Sequence, residues 1–166
     1  MYNEDVINEI GSFLLEHEKT ISAAESVTSG HLQAALSTGI DASLFLQGGI
    51  TVYNAAQKTR HLNIEPVHAQ KVNCVDAEVA ANMAIEVNKM FLSDYGVSIT
   101  GYASIVPQCE DEGLHAYFAL ALKDEVILSE RITSKAENGF PAQADFACQV
   151  MQKIADYLKQ QKKKKI

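Results

Sequence analysis

The stretch Thr20-Ile21-Ser22-Ala23-Ala24-Glu25-Ser26-Val27-Thr28-Ser29-Gly30 opens as a short strand of small residues. It then turns on serine, threonine and glycine, and a helix follows through Leu36. A strand that passes through a tight polar turn into a helix points to an α/β chain. It also places free backbone N–H groups at the positive end of a helix, where an anion is stabilised. Ser26 or Thr28 can serve the same turn simply by capping the helix.

Working outward, Val6, Ile7, Ile10, Phe13 and Leu14 recur at three- and four-residue spacing, which predicts an amphipathic helix over roughly residues 4 to 17. Between Phe45 and Tyr53 a β-rich run with the pair Gly48-Gly49 reads as a second strand. Asn54 can cap a short helix containing Lys58, and Asp76 a longer one ending near Leu92, with Val79, Met83, Ile85, Val87 and Met90 on its buried side. Tyr95 to Thr100 reads as a strand that enters a polar loop from Gly101 to Gly113. The segments 115–122 and 126–133 pair as a hairpin across Lys123-Asp124-Glu125. A last helix over about 141–161 buries Phe146, Val150, Ile154 and Leu158. With no repeat or linker, the expectation is a single domain over 1–161: a three-layer α/β/α sandwich on a mixed sheet, followed by a lysine-rich tail at 162–166.

The 166 residues, 47% of them apolar, suit one core burying roughly two thirds of the unfolded surface. The net charge is −7, and setting aside the four positive charges of Lys162 to Lys165 leaves −11. So acidic a body repels phosphate backbones, which argues against a nucleic-acid partner. Cys74, Cys109 and Cys148 have no Cys-x-x-Cys spacing, and the five histidines (His17, His31, His61, His68, His115) are scattered. No metal site or cofactor is therefore expected. No signal peptide or apolar run of about 18 residues stands out, so the expected location is cytoplasmic, without membrane contact. A homo-oligomer is the default expectation for a small cytoplasmic protein.

Two blocks carry a family resemblance. Ala24-Glu25-Ser26-Val27-Thr28-Ser29-Gly30 resembles the Ala-Glu-Ser-Cys-Thr-Gly-Gly motif of the CinA C-terminal domain family. About twelve residues on, Ser43 to Lys58, with Phe45, Gly49, Tyr53 and Asn54 in order, resembles the family block that ends in Tyr-Ser-Asn-x-x-Lys. The helix after Val75 and the strand Ser98-Ile99-Thr100-Gly101 extend the likeness across nearly the whole chain. The resemblance implies a cofactor-free amidohydrolase that converts nicotinamide mononucleotide, or a related pyridine nucleotide, to the nicotinate form and ammonia.

Amide hydrolysis needs a nucleophile, an acceptor for its proton and donors for the oxyanion. Ser43, Tyr53, Lys58 and Ser26 are the catalytic candidates, with Ser43 favoured as nucleophile by analogy with Ser/Tyr/Lys sites. Glu25, Thr28, Ser29, Gly30, Gly49, Gly101 and Lys135 are the candidates for holding the nucleotide. Lys58 serves as a base only where burial or a neighbouring cation lowers its pKa.

The chain also departs from the family pattern. Gly101-Tyr102-Ala103-Ser104 stands in place of a glycine-rich Gly-Ile-Ala-Gly-Pro loop, Ser29 replaces a glycine, and Val27 excludes a cysteine nucleophile. Ser134-Lys135-Ala136-Glu137-Asn138 stands where the family carries arginines suited to a phosphate, leaving Lys135 or Arg131 as substitutes. The alternative function is a catalytically inactive paralogue that binds a nucleotide or a protein partner.

Overall fold

The computed structural model describes residues 2–164. Lys165 and Ile166 of the expected tail, and the side chain of Cys109, lie outside the described residues. Five strands form one sheet in the order β2-β1-β3-β4-β5. β1 (Ile21–Glu25), β2 (Leu46–Thr51) and β3 (Tyr95–Tyr102) are parallel, while β4 (Leu114–Leu122) and β5 (Glu125–Ser134) continue antiparallel as the expected hairpin.

One face of the sheet is covered by α1 (Glu4–Glu16), α2 (His31–Ser37), the short α3 (Ala42–Phe45) and the long α7 (Phe140–Lys164). The other carries α4 (Ala55–Leu62), α5 (Pro66–Lys71) and α6 (Ala77–Phe91). The architecture is the expected three-layer sandwich. Asn3 caps α1 through its side chain, Asn54 caps α4 and Asp76 caps α6, each supplying an acceptor for N–H groups that the first turn leaves open.

Differences from the sequence reading are local. In α6, Val79, Met83 and Val87 are buried, whereas Ile85 is half-buried and Met90 is 41% exposed. The inward stripe is instead completed by Ala80 and Ala84, which pack on Ala119 and Ala121 of β4. These small residues let the helix approach the sheet so closely that a Cβ on Gly96 would lie 2.1 Å from the Ala84 carbonyl oxygen. Phe45 ends the unanticipated α3 and does not begin the second strand. β2 is an edge strand with an extra residue, because Ile21 pairs with Leu46 but Ser22 pairs with Gly48. The loop after β3 contains a 3-10 helix, Pro107–Glu112. The last helix runs beyond 161 into the lysines, where Lys162 pairs with Glu16.

β1 connects leftward to β2, across the face bearing α2 and α3. Its other neighbour, β3, connects rightward to β4. The crevice at the carboxyl ends of β1 and β3 is thus a topological switch point, the place where open α/β sheets receive ligands.

Candidate functional site

At that crevice lies a pocket of about 610 Å³, within the range of small-molecule sites. Its floor is built from the first residue after β1. The Ser26 N–H donates to the Ile99 carbonyl of β3, which anchors the start of the turn to the sheet. Lys58 stands one turn into α4, only 1% exposed, and its Nζ donates to Ser26 Oγ at 2.8 Å and to the Val52 carbonyl at 3.0 Å. Among the described residues no carboxylate pairs with this amine. Burial therefore pushes the Lys58 pKa down from the ordinary lysine value, with the neighbouring Cys74 thiol acting weakly in the opposite sense. Desolvation disfavours the ammonium and so favours the free amine, the form that can accept a proton.

The turn holds its shape through Glu25, whose carboxylate is fully buried. It accepts from Thr28 Oγ1 (2.6 Å), from the N–H groups of Gly30, Leu32 and Gln33, and from Gln33 Nε2. Leu32 and Gln33 are the second and third residues of α2, whose own N-cap, Gly30, has no side chain to cap with. Glu25 is thus the acceptor for the helix start, and the expectation that it holds substrate is corrected: its oxygens are occupied. Thr28, also fully buried, supports Glu25 and does not face the pocket. The expected cap by Ser26 or Thr28 is replaced by this remote one. Ser29 (φ 49°) and Gly30 (φ 107°) adopt the left-handed conformations that reverse the chain and lie outside the pocket wall.

The structure brings Ser26, Lys58, Tyr53 and Gly101 to one pocket. Tyr53 is 65% exposed at its edge. Gly101 is a packing requirement as well as a wall, since a Cβ there would meet the His115 carbonyl oxygen at 2.4 Å. Gly49 lies outside the pocket and admits Gln33 and the Ala23 carbonyl, both within 2.6 Å of where its Cβ would stand. Lys135 is exposed and away from the wall. Arg131 is paired with Glu112 at 3.0 Å.

Ser43 is not brought to Lys58. It is exposed on α3, before β2 begins, whereas Ser26 and Lys58 follow the ends of β1 and β2. A strand of this length spans about 17 Å at roughly 3.3 Å per residue, so the expected Ser43–Lys58 pairing is corrected.

Other wall residues were not anticipated. Asn73 and Cys74 both take left-handed conformations (φ 49° and 60°), and the Cys74 carbonyl accepts from Thr100 Oγ1 at 2.7 Å. Burial raises the Cys74 thiol pKa, so this sulfur stays protonated. Asn73 Nδ2 donates to Tyr102 Oη at 2.8 Å, bridging the end of β3 and the segment before α6 across the pocket. Asparagine shortly before a capping aspartate was the available signal, because Asn tolerates left-handed backbone better than most residues.

A model of the CinA C-terminal domain matches residues 3–158. The chain belongs to the CinA C-terminal domain family. A CinA-like protein of Thermosynechococcus vestitus is 37% identical over 94 residues, covering 57% of this chain and 23% of that protein. A Streptococcus equi protein bearing a competence-damage inducible name is 34% identical over 127 residues, covering 75% of the chain and 30% of its own length. The chain spans about a quarter of the length of the curated relatives it matches. Among solved structures, a competence or damage-inducible protein from Enterobacter asburiae superimposes with a TM-score of 0.84 at 20% identity, covering 95% of this chain and 99% of that one. The Agrobacterium tumefaciens protein CihA does so at 0.78 and 16%, covering 95% and 96%. At these identities the structural matches establish the shared CinA fold alone. Among the described residues no helix is long and apolar enough to cross a membrane.

Proposed function

We propose that this CinA-family chain is a serine–lysine amidohydrolase that deamidates nicotinamide mononucleotide or a close pyridine relative. The observation that carries the reading is the buried Lys58 Nζ, 2.8 Å from Ser26 Oγ and unpaired with any acid among the described residues. The nucleophile in this proposal is Ser26, because Ser43 lies at the other end of the strand.

With Lys58 as the free amine, the Ser26 hydroxyl donates to Nζ, and Oγ attacks the carboxamide carbon as its proton passes to Lys58. The carbonyl becomes an oxyanion. The Val27 N–H, next in the turn and with no backbone acceptor among the described residues, is the nearest donor in sequence to the nucleophile. Collapse breaks the C–N bond, and the Lys58 ammonium protonates the leaving NH2 group to ammonia. Water then attacks the Ser26 ester, Lys58 takes its proton, and Oγ leaves with that proton as the carboxylic acid forms. One water is consumed and one ammonia released, with both proton transfers routed through a single amine. Tyr53, at the pocket edge, is placed to orient the substrate.

Self-association belongs to the same proposal. It is supported by Ile40 and Leu44, which flank Ser43 and are 68% and 65% exposed.

The test is ammonia release from nicotinamide mononucleotide and from nicotinamide riboside by purified protein. Release is expected to vanish in Ser26→Ala and in Lys58→Ala, with circular dichroism unchanged. Full activity in either variant rejects the mechanism. No release from any pyridine carboxamide by the folded protein rejects the enzyme reading and leaves binding as the role.

A further inference from the structure

Resting on the amidohydrolase reading, we infer that this pocket takes the unphosphorylated pyridine carboxamide riboside in preference to its 5′-phosphate. Away from Ser26 and Lys58, the polar part of the wall consists of neutral groups: Asn54, Gln70, Asn73, Ser104 and Gln143. Among the described residues, Lys58 is the only basic side chain that lines the pocket, and it is committed to Ser26 and the Val52 carbonyl.

The other basic groups within reach by position are accounted for. Arg131 is paired with Glu112. Lys135, Lys71 and Arg60 are exposed and form no part of the wall. The lysines near the end of α7 lie about 30 Å along the helix from Gln143, at 1.5 Å per residue. On the acidic side, the exposed Glu110, Asp111 and Glu112 follow closely on the wall residue Val106, and the whole chain carries −7.

A phosphate monoester near neutral pH brings between one and two negative charges. Taking them from water into a site with no guanidinium or free ammonium leaves them unpaired, and the acidic surroundings add repulsion. The riboside has the opposite sign. Its N-glycosidic pyridinium ring makes it a cation, which an acidic protein attracts, and its hydroxyls are the partners that amide and hydroxyl side chains can satisfy. Tyr102 stands on the wall, braced by Asn73, and an aromatic face beside a pyridinium ring is favourable.

The experiment compares kcat/KM for nicotinamide riboside and nicotinamide mononucleotide by ammonia release, together with equilibrium binding of both compounds to the Ser26→Ala protein. Riboside turnover and binding at least tenfold better than those of the phosphate are expected. Gln143→Arg, which adds a fork to the wall, is expected to narrow that ratio tenfold or more by improving the phosphate alone. Equal or better use of the mononucleotide by the wild type overturns the inference while leaving the hydrolase reading intact. Preferential riboside binding without turnover of either compound overturns the hydrolase reading and sustains the inference. Failure of the folded protein to bind either compound overturns it.

Discussion

Replacing Lys58 by methionine separates the two consequences of burying an amine. The side chain keeps its length, loses its bonds to Ser26 Oγ and the Val52 carbonyl, and can no longer take a proton. Loss of a general base costs about 10²- to 10⁴-fold in rate, so turnover should fall to background.

Stability carries the sharper signal. The folded pKa of Lys58 lies below the ordinary 10.5, so between those two values the unfolded chain binds more protons than the native one. Wild-type stability therefore rises with pH through that window and is lost as pH falls through the folded value. The slope is about 1.4 kcal/mol per pH unit. For a chain of this size 1 kcal/mol shifts Tm by about 2–4 °C, so wild type should gain roughly 3–6 °C on Lys58→Met per pH unit within the window. Scanning Tm of both proteins from pH 6.5 to 10.5 covers the window up to the ordinary value, and the difference between the two curves cancels the thiol and phenol titrations they share. The rate of the wild type should climb over the same range as the free amine appears. Parallel Tm curves, with a flat rate profile, would show that Lys58 keeps an ordinary pKa and is not the base.

Glu25→Gln puts an NH2 among donors that need an acceptor and should cost about 3 kcal/mol, read as a Tm drop of roughly 6–12 °C; an unchanged Tm would mean the carboxylate does not hold α2. Ser43→Ala should leave kcat and KM within about twofold, whereas loss of turnover would return the nucleophile to α3. Gly96→Ala, whose methyl would lie 2.1 Å from the Ala84 carbonyl oxygen, should destabilise by about 3 kcal/mol or leave the protein insoluble, as chemical denaturation or expression yield would report.

The elements whose ends are fixed by local chemistry were the legible ones. Asn54 and Asp76 announce α4 and α6 because a side-chain acceptor three residues ahead of an open N–H leaves little ambiguity. The hairpin announces itself through its short polar connection. Alternation and spacing could not report which end of the sheet a residue occupies. Ser43 and Lys58 are close in sequence, but a parallel strand lies between them and carries the chain from one end of the sheet to the other. Ser26 and Lys58, 32 residues apart, meet because both follow strand ends on the same side. Glu25 looked like a ligand because it belongs to the polar turn that resembles the family motif. What turned it inward was the demand of an uncapped helix start, which no spacing rule contains. Met90 misled for a related reason: its position on the α6 stripe was right for a broad apolar face, whereas the close seat of the helix on Gly96 admits only a narrow one.

The doubled residue in β2 bears on colloidal behaviour. An outermost strand with a straight ladder of open amides invites a second molecule to dock along it and seed fibrous growth. Here Gln47 interrupts the repeat and Gly48 turns to φ 126°, so the outer rim is broken near its start. A neighbouring chain would find at most four matched positions in succession, Gly48 to Thr51. Concentrated solutions of this protein should therefore resist sheet-to-sheet polymerisation at this rim, and subunits that associate would do so through side chains and not by extending the backbone lattice.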